Sequence, residues 1–305
     1  MMLGVLSLLI APTSASSQNS QAQAPPTVLH LKNTTIYVYV VGDGFKASRA
    51  TLTSWVDRSA KGIANYFGVF PVKKLSVFIY PSPGTGITFA ETLPRNGSEI
   101  KVYLGTDSTE SDLKKSWMLV HEMVHLGFTF TEDSQDWATE GLATYAEPII
   151  RAQMGDQRKE EAWSDMKGGL AQGLPQPGDR GLNNTRTWGR VYWGGALFYL
   201  LADIQIRTQT HFKKGLPDAL KQIVLDGGTI ESNWTLDDTF ASGDQGTGTK
   251  VLMTLYKQLA NTPSGADLDF LWKGLGVLGT GSGVTLDNRA SMSRVRSAIE
   301  TGKAL

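Results

Sequence analysis

The chain has 305 residues, 41% of them hydrophobic, enough to bury a sizeable core in one large domain or two closely packed lobes. Its 29 Lys and Arg balance 29 Asp and Glu and no basic run occurs, so a nucleic-acid partner has no electrostatic footing. The absence of cysteine excludes disulfides and thiolate metal sites, and it suits an exported bacterial protein.

The N-terminus opens on an apolar run over 1–11, followed by the small polar residues PTSASSQNSQAQAPP. This pattern is that of a signal-peptide core and cleavage zone, with Ala15 or Ala22 as the last residue removed and 1–22 as the leader. The run is too short to span a bilayer permanently, and no other segment predicts a membrane span. An exported protein, periplasmic or secreted, is the expectation.

Residues 35–41 (TIYVYVV) are rich in β-branched and aromatic side chains and predict a strand. Ser48 can cap a helix over 49–67, whose apolar stripe is Leu52, Trp55, Val56, Ile63 and Phe67. A second strand is predicted at 75–80 (LSVFIY). A third, half exposed, follows from the alternation at 99–104 (EIKVYL). The string between them, GITFAETLPRNGS, reads as a loop, with Glu91 an exposed carboxylate in it.

The stretch with the clearest chemistry is HEMVH at 121–125. Residues i and i+4 share one face of a helix, so His121 and His125 can bind one cation through two imidazoles. Glu122 sits at the rim of that face, where a carboxylate can take a proton from a water without ligating the metal. Thr109 and Asp112 read as a capping box that starts this helix, and Gly127 as its stop. Trp117, Leu119, Val120, Met123 and Val124 are suited to core packing. A second helix is predicted over 135–151 after the polar break at 131–134. Two helices joined by a short loop pack roughly antiparallel, which lets Glu140 face the histidine pair. Two His and one Glu leave a fourth zinc position open, the catalytic rather than the structural arrangement. One Zn2+ is the cofactor expected.

HEMVH followed by WATEGLATYAE resembles the gluzincin metallopeptidases, zinc enzymes with HExxH and a downstream Glu ligand. The pattern W-x-x-E-G-x-A-x-Y is similar to the glycyl aminopeptidase and aminopeptidase N branches. The strings VYWGGALFYLLADIQIRTQT, GLPDALKQI, LDFLWKGLGV and NRASMSRVRSAI follow the order of C-terminal segments in glycyl-aminopeptidase-like proteins. The likeness runs from about residue 75 to the C-terminus, firmly at the zinc motif and loosely elsewhere. Only 14 residues separate His125 from Glu140, so the connection is tighter than in those enzymes, and the G-x-M-E-N string of aminopeptidase N is missing. The resemblance implies zinc-dependent hydrolysis of peptide or protein substrates. It also implies that the strand just before the zinc helix, 99–104, is the sheet edge, along which substrate backbone pairs. For Glu91 it implies binding of a substrate amine, although the surrounding string does not match.

Further along, 167–187 is dense in Gly and Pro and reads as either a lid or a link between lobes. Residues 190–207 predict an apolar helix. Tyr192 precedes Gly194 and Gly195 as a tyrosine does in the resembled family, which implies an oxyanion donor; the alternative is a core tyrosine. His211 reads as a surface residue. Helices are predicted over 216–225, 250–259, 267–275 and 289–299, with glycine-rich loops at 243–248 and 279–283. The expected fold is α+β: a zincin-like catalytic lobe over 27–155, a small mixed sheet plus the HExxH helix, followed by a mainly helical lobe over 188–305 that closes the cleft. The expected activity is that of a zinc peptidase with Glu122 and Tyr192 catalytic and His121, His125 and Glu140 on the metal. The competing readings are a zinc hydrolase of non-peptide amides or esters and a non-catalytic zinc-containing binding protein.

Overall fold

The computed structural model describes residues 25–302 apart from Asn96 and Glu132, so the leader expected at 1–22 lies outside the described residues. Five strands form one sheet in the order β1-β2-β3-β5-β4. Strand β1 (Thr27–Leu31) runs antiparallel to β2 (Thr34–Val40), which lies parallel to β3 (Lys74–Ser82). Strand β5 (Glu99–Gly105) is parallel to β3, and β4 (Ile87–Leu93) closes the sheet antiparallel to β5. Alternation sorts the side chains by face. Ile36, Val38 and Val40, Leu75, Val77 and Ile79, and Ile100, Val102 and Leu104 are all buried on the helix-covered side.

The edge differs from the expectation. Strand β5 is internal, and the edge on its side of the sheet is β4, in the string that read as a loop, with β1 at the opposite edge. Its register shifts between Ile87 and Phe89, which breaks the alternation a strand should show, and Pro94 and Gly97 crowd its end. Glu91 is therefore a strand residue, ion-paired to Lys101 on β5 at 3.0 Å.

Helix α1 (Arg49–Phe67) carries the crossover from β2 to β3. Ser48 accepts a hydrogen bond from the Thr51 amide, the left-handed Gly68 ends the helix, and the whole predicted stripe is buried. Each such side chain contributes about 1.5–3 kcal/mol on full burial.

The capping box of Thr109 and Asp112 is present, but it starts a separate short helix, α2 (Glu110–Lys115). Extended backbone at Ser116 breaks the chain before α3 (Met118–His125), which has no side-chain cap. Trp117 is 45% exposed rather than in the core. Gly127 is not left-handed; a Cβ there would come 2.2 Å from Phe67 Cε1, so packing rather than helix termination demands glycine.

Helix α4 (Asp136–Met154) packs against α3 and, on its other side, α6 (Gly195–Gln209). Helix α5 (Lys159–Leu170) occupies sequence not predicted as helical. The rest of 167–187 is pinned: Asn183 accepts a hydrogen bond from Trp137 Nε1 (2.8 Å), and Asp179 pairs with Arg190 at 2.7 Å, both side chains buried. Helices α7 (Leu216–Asp226), α9 (Val251–Leu259) and α10 (Leu268–Leu275) fall where predicted, and α11 (Ser293–Thr301) begins later than expected. Residues 243–248 are not a loop: α8 (Leu236–Thr247) runs through them and ends at left-handed Gly248. The 279–283 loop joins a two-residue hairpin, β6 (Val277–Leu278) and β7 (Thr285–Leu286). No helix among the described residues is long and apolar enough to cross a membrane.

Candidate metal centre

Helix α3 lies beneath the free edge of the sheet, and its buried face, Leu119, Val120, Met123 and Val124, locks its rotation. That leaves His121 and His125 on the side facing α4, their rings 5.0 Å apart and nearly perpendicular. Glu140, in the second turn of α4, reaches both: its Oε2 is 3.1 Å from His121 Nε2 and 3.8 Å from His125 Nε2. One ligand atom from each residue can be chosen so that all three lie within 4.8 Å of one another. Donors about 2.0–2.1 Å from a tetrahedral zinc stand about 3.3 Å apart, so the two measured separations bracket what the ion needs. The donor set, two imidazoles and a carboxylate, is also the type zinc takes in open sites.

Electrostatics favour the ligating protonation states. Burial holds the imidazolium of His125 below its ordinary pKa, favouring the neutral ring that can donate a lone pair. Burial alone would raise Glu140, but the hydrogen bond with His121 and the nearby imidazoles outweigh it and keep the carboxyl low. Trp117, displaced from the core, stands edge-on to the His121 ring at 5.2 Å.

Glu122 is 9% exposed and points toward β4. There the Thr92 hydroxyl lies 2.7 Å from its Oε2 and 2.9 Å from its main-chain oxygen. Thr92 escaped the sequence reading because its strand did; its partner is 30 residues away and adjacent only once β4 takes the edge. Thr92, Glu122, His125 and Glu140 line one cavity of about 320 Å³ together with Glu91, whose carboxylate is held by Lys101. Glu147, seven residues after Glu140 on α4, is a second group missed; burial raises its carboxyl to about 7 against the pull of Arg151.

Tyr192 sits in a π turn over Arg190–Gly194, a one-residue widening that precedes α6. It is half buried and stacks on Trp188 at 5.6 Å. Burial pushes its hydroxyl up to about 12, and the negative charges of Glu140, Glu122 and Asp136 add to this. His211 is exposed in a left-handed turn after α6 and takes no part.

The two glycine signals flanking these residues have one cause. A Cβ on Gly141 would lie 2.3 Å from Gly195 Cα, and one on Gly195 would lie 2.1 Å from the Trp137 carbonyl oxygen. Backbone contact therefore fixes how closely α4 and α6 approach. Gly141→Ala is expected to destabilise the protein by about 1–3 kcal/mol despite its higher helix propensity, because overpacking wins over backbone entropy. Urea denaturation checks this; unchanged stability would mean that the helices separate at no cost.

No protein-family model and no curated protein matches this chain. Solved structures do. An M1 zinc metallopeptidase from Deinococcus radiodurans superposes with a TM-score of 0.53 at 17% identity, over 80% of this chain and 52% of that one. A variant of that protein bound to a Tyr-Ser-Ala substrate gives 0.53 at 17%, over 81% and 53%. An aminopeptidase N family protein from Idiomarina loihiensis gives 0.61 at 14%, over 83% and 49%. The chain spans about half the length of the solved structures it matches. It has the fold of this part of the M1 zinc metallopeptidases.

Proposed function

We propose that the chain is a zinc-dependent peptidase of the gluzincin type. The observation that carries this reading is the convergence of His121, His125 and Glu140 beside a second carboxylate, Glu122, under a free strand edge. A binding module needs ligands but no general base, so the orientation of Glu122 by Thr92 favours an enzyme.

Zinc held by these three side chains would lower the pKa of a water and polarise the scissile carbonyl. The free N–H and C=O groups of β4 hold an extended peptide backbone beside the centre. Glu122 takes the proton of the attacking water and passes it to the leaving nitrogen. Thr92 fixes the carboxylate rotamer, so less orientation is lost on reaching the transition state. The Tyr192 hydroxyl, protonated at neutral pH, donates to the carbonyl oxygen as it gains charge. Export through the leader at 1–22 belongs to the same reading; N-terminal sequencing of protein from cells should begin beyond Ala15, and an intact Met1 in the cytoplasm overturns it.

The test is hydrolysis of a broad peptide library by zinc-loaded protein, with amides and esters of other kinds in parallel. Retained zinc with no peptide cleaved transfers the site to one of the competing readings. For Tyr192→Phe, zinc content and stability should be unchanged while kcat falls roughly 10²- to 10³-fold, the scale of losing one oxyanion donor. An unaltered kcat would make Tyr192 a packing residue of α6.

A further inference from the structure

The cavity at the metal centre continues past it. Phe130 and Ile230, which line it, also line a second cavity of about 580 Å³ at the β4–β5 turn, where Lys73, Lys74 and Arg95 converge. The two therefore form one groove alongside β4. Its far wall is a built structure: the Phe130 amide donates to the Ser232 carbonyl at 3.1 Å, and the Trp234 amide donates to Thr129 Oγ1 at 2.9 Å.

The two ends carry opposite charge. The metal end is lined by Glu122, Asp136 and Glu140, together with Glu91, whose charge is paired with Lys101. At the other end three cations face a single carboxylate, Glu231, which takes a hydrogen bond from Ser98 at 3.0 Å. Among the described residues, Lys73, Lys74 and Arg95 make no ion pair. Lys74 Nζ lies over the Tyr37 ring at 5.7 Å, which leaves Lys73 and Arg95 as the cations that attract a negative side chain at this end of the groove.

The edge gives the direction. Antiparallel pairing is the more stable per residue, and a peptide antiparallel to β4 runs from its Leu93 end toward Ile87. Residues before the scissile bond then lie on the Arg95 side. Thr92, bonded to Glu122, marks the reacting position, and Arg95 is three residues further on, past a turn in which its amide donates to the Leu93 carbonyl at 2.9 Å. We propose that this groove is a subsite for an acidic side chain about three residues upstream of the scissile bond, and that the chain cleaves within peptides rather than only at their N-termini. This rests on the peptidase reading above.

The test uses the full zinc-loaded chain and one peptide sequence with Glu, Ala or Lys at the third position before the cleaved bond. The expected order of kcat/KM is Glu over Ala over Lys, with about tenfold between the ends, the scale of two or three exposed ion pairs, and it should shrink as salt rises. Lys73→Glu combined with Arg95→Glu should reverse the order while the Ala peptide is cleaved within about twofold of the parent rate. Titration calorimetry of the same peptides onto Glu122→Gln should give the same order of Kd. Cleavage with no dependence on charge, or an acidic preference that survives the double reversal or sits downstream of the bond, overturns the subsite and leaves the peptidase reading intact. Absence of any peptide cleavage overturns the peptidase reading itself.

Discussion

Removing a single donor is expected to empty the metal centre. For His121→Ala, zinc affinity should drop by more than 10²-fold, beyond the 10- to 100-fold typical of disturbing a ligand's support, and peptide hydrolysis should fall to background. His125→Ala should behave alike. Glu140→Ala is the more informative variant, because it leaves the histidine pair on α3 intact and removes only what α4 supplies. Its carboxylate is the one group in contact with both rings, at 3.1 and 3.8 Å, so two imidazoles alone lack both the third donor and the negative charge. The sign of the pH effect follows from the same groups. The ligands must be deprotonated, so occupancy should decline as pH falls through the histidine range, with Glu140, held low, the last to protonate. Metal analysis after dialysis, paired with circular dichroism, separates zinc loss from unfolding. A Glu140→Ala protein with full zinc would show that the third ligand comes from elsewhere.

The parts of the fold that local chemistry dictates were legible in the residues. Helix α1 was readable end to end, because Ser48 and a five-residue apolar stripe agree with one another. The proximity of His121 and His125 was readable because a helix converts their spacing into contact without any tertiary input, and Glu140 joined them through the packing of α4 on α3. Strand β4 was not. Its bulge removes the alternation, and proline and glycine at its end imitate a loop, so the edge was assigned to β5. Everything that depends on that edge stayed hidden with it, including the hold of Thr92 on Glu122 and the groove toward Arg95. Helices α5 and α8 were hidden for a different reason. They carry internal glycines at positions such as Gly169 and Gly243, where Trp193 and Leu252 press against the backbone, and tertiary packing overrides the low helix propensity. The break between α2 and α3 has only Ser116 to announce it, which no propensity rule flags.

Glu122→Gln is the variant that separates an enzyme from a metal-binding scaffold, and its expected result is a collapse of turnover with the protein otherwise unchanged. The substitution keeps size and shape and removes the charge and the basic oxygen. His121, His125 and Glu140 are untouched, so zinc should be retained at the parent level. The Thr92 hydroxyl, 2.7 Å from the Glu122 carboxylate, can donate equally to an amide oxygen, so the side chain stays in place and the fold is preserved. What is lost acts in the transition state alone: nothing takes the proton of the attacking water, and the leaving nitrogen has no donor. Both losses lower kcat while leaving peptide affinity nearly unchanged. General acid–base catalysis supplies typically 10²- to 10⁴-fold, so a fall of at least that size in kcat is expected, with KM moving by less than about threefold. Zinc content and hydrolysis measured on the same samples make the result unambiguous. A Glu122→Gln protein that cleaves as fast as its parent would remove Glu122 from the chemistry and leave the carboxylate's orientation by Thr92 without a catalytic purpose.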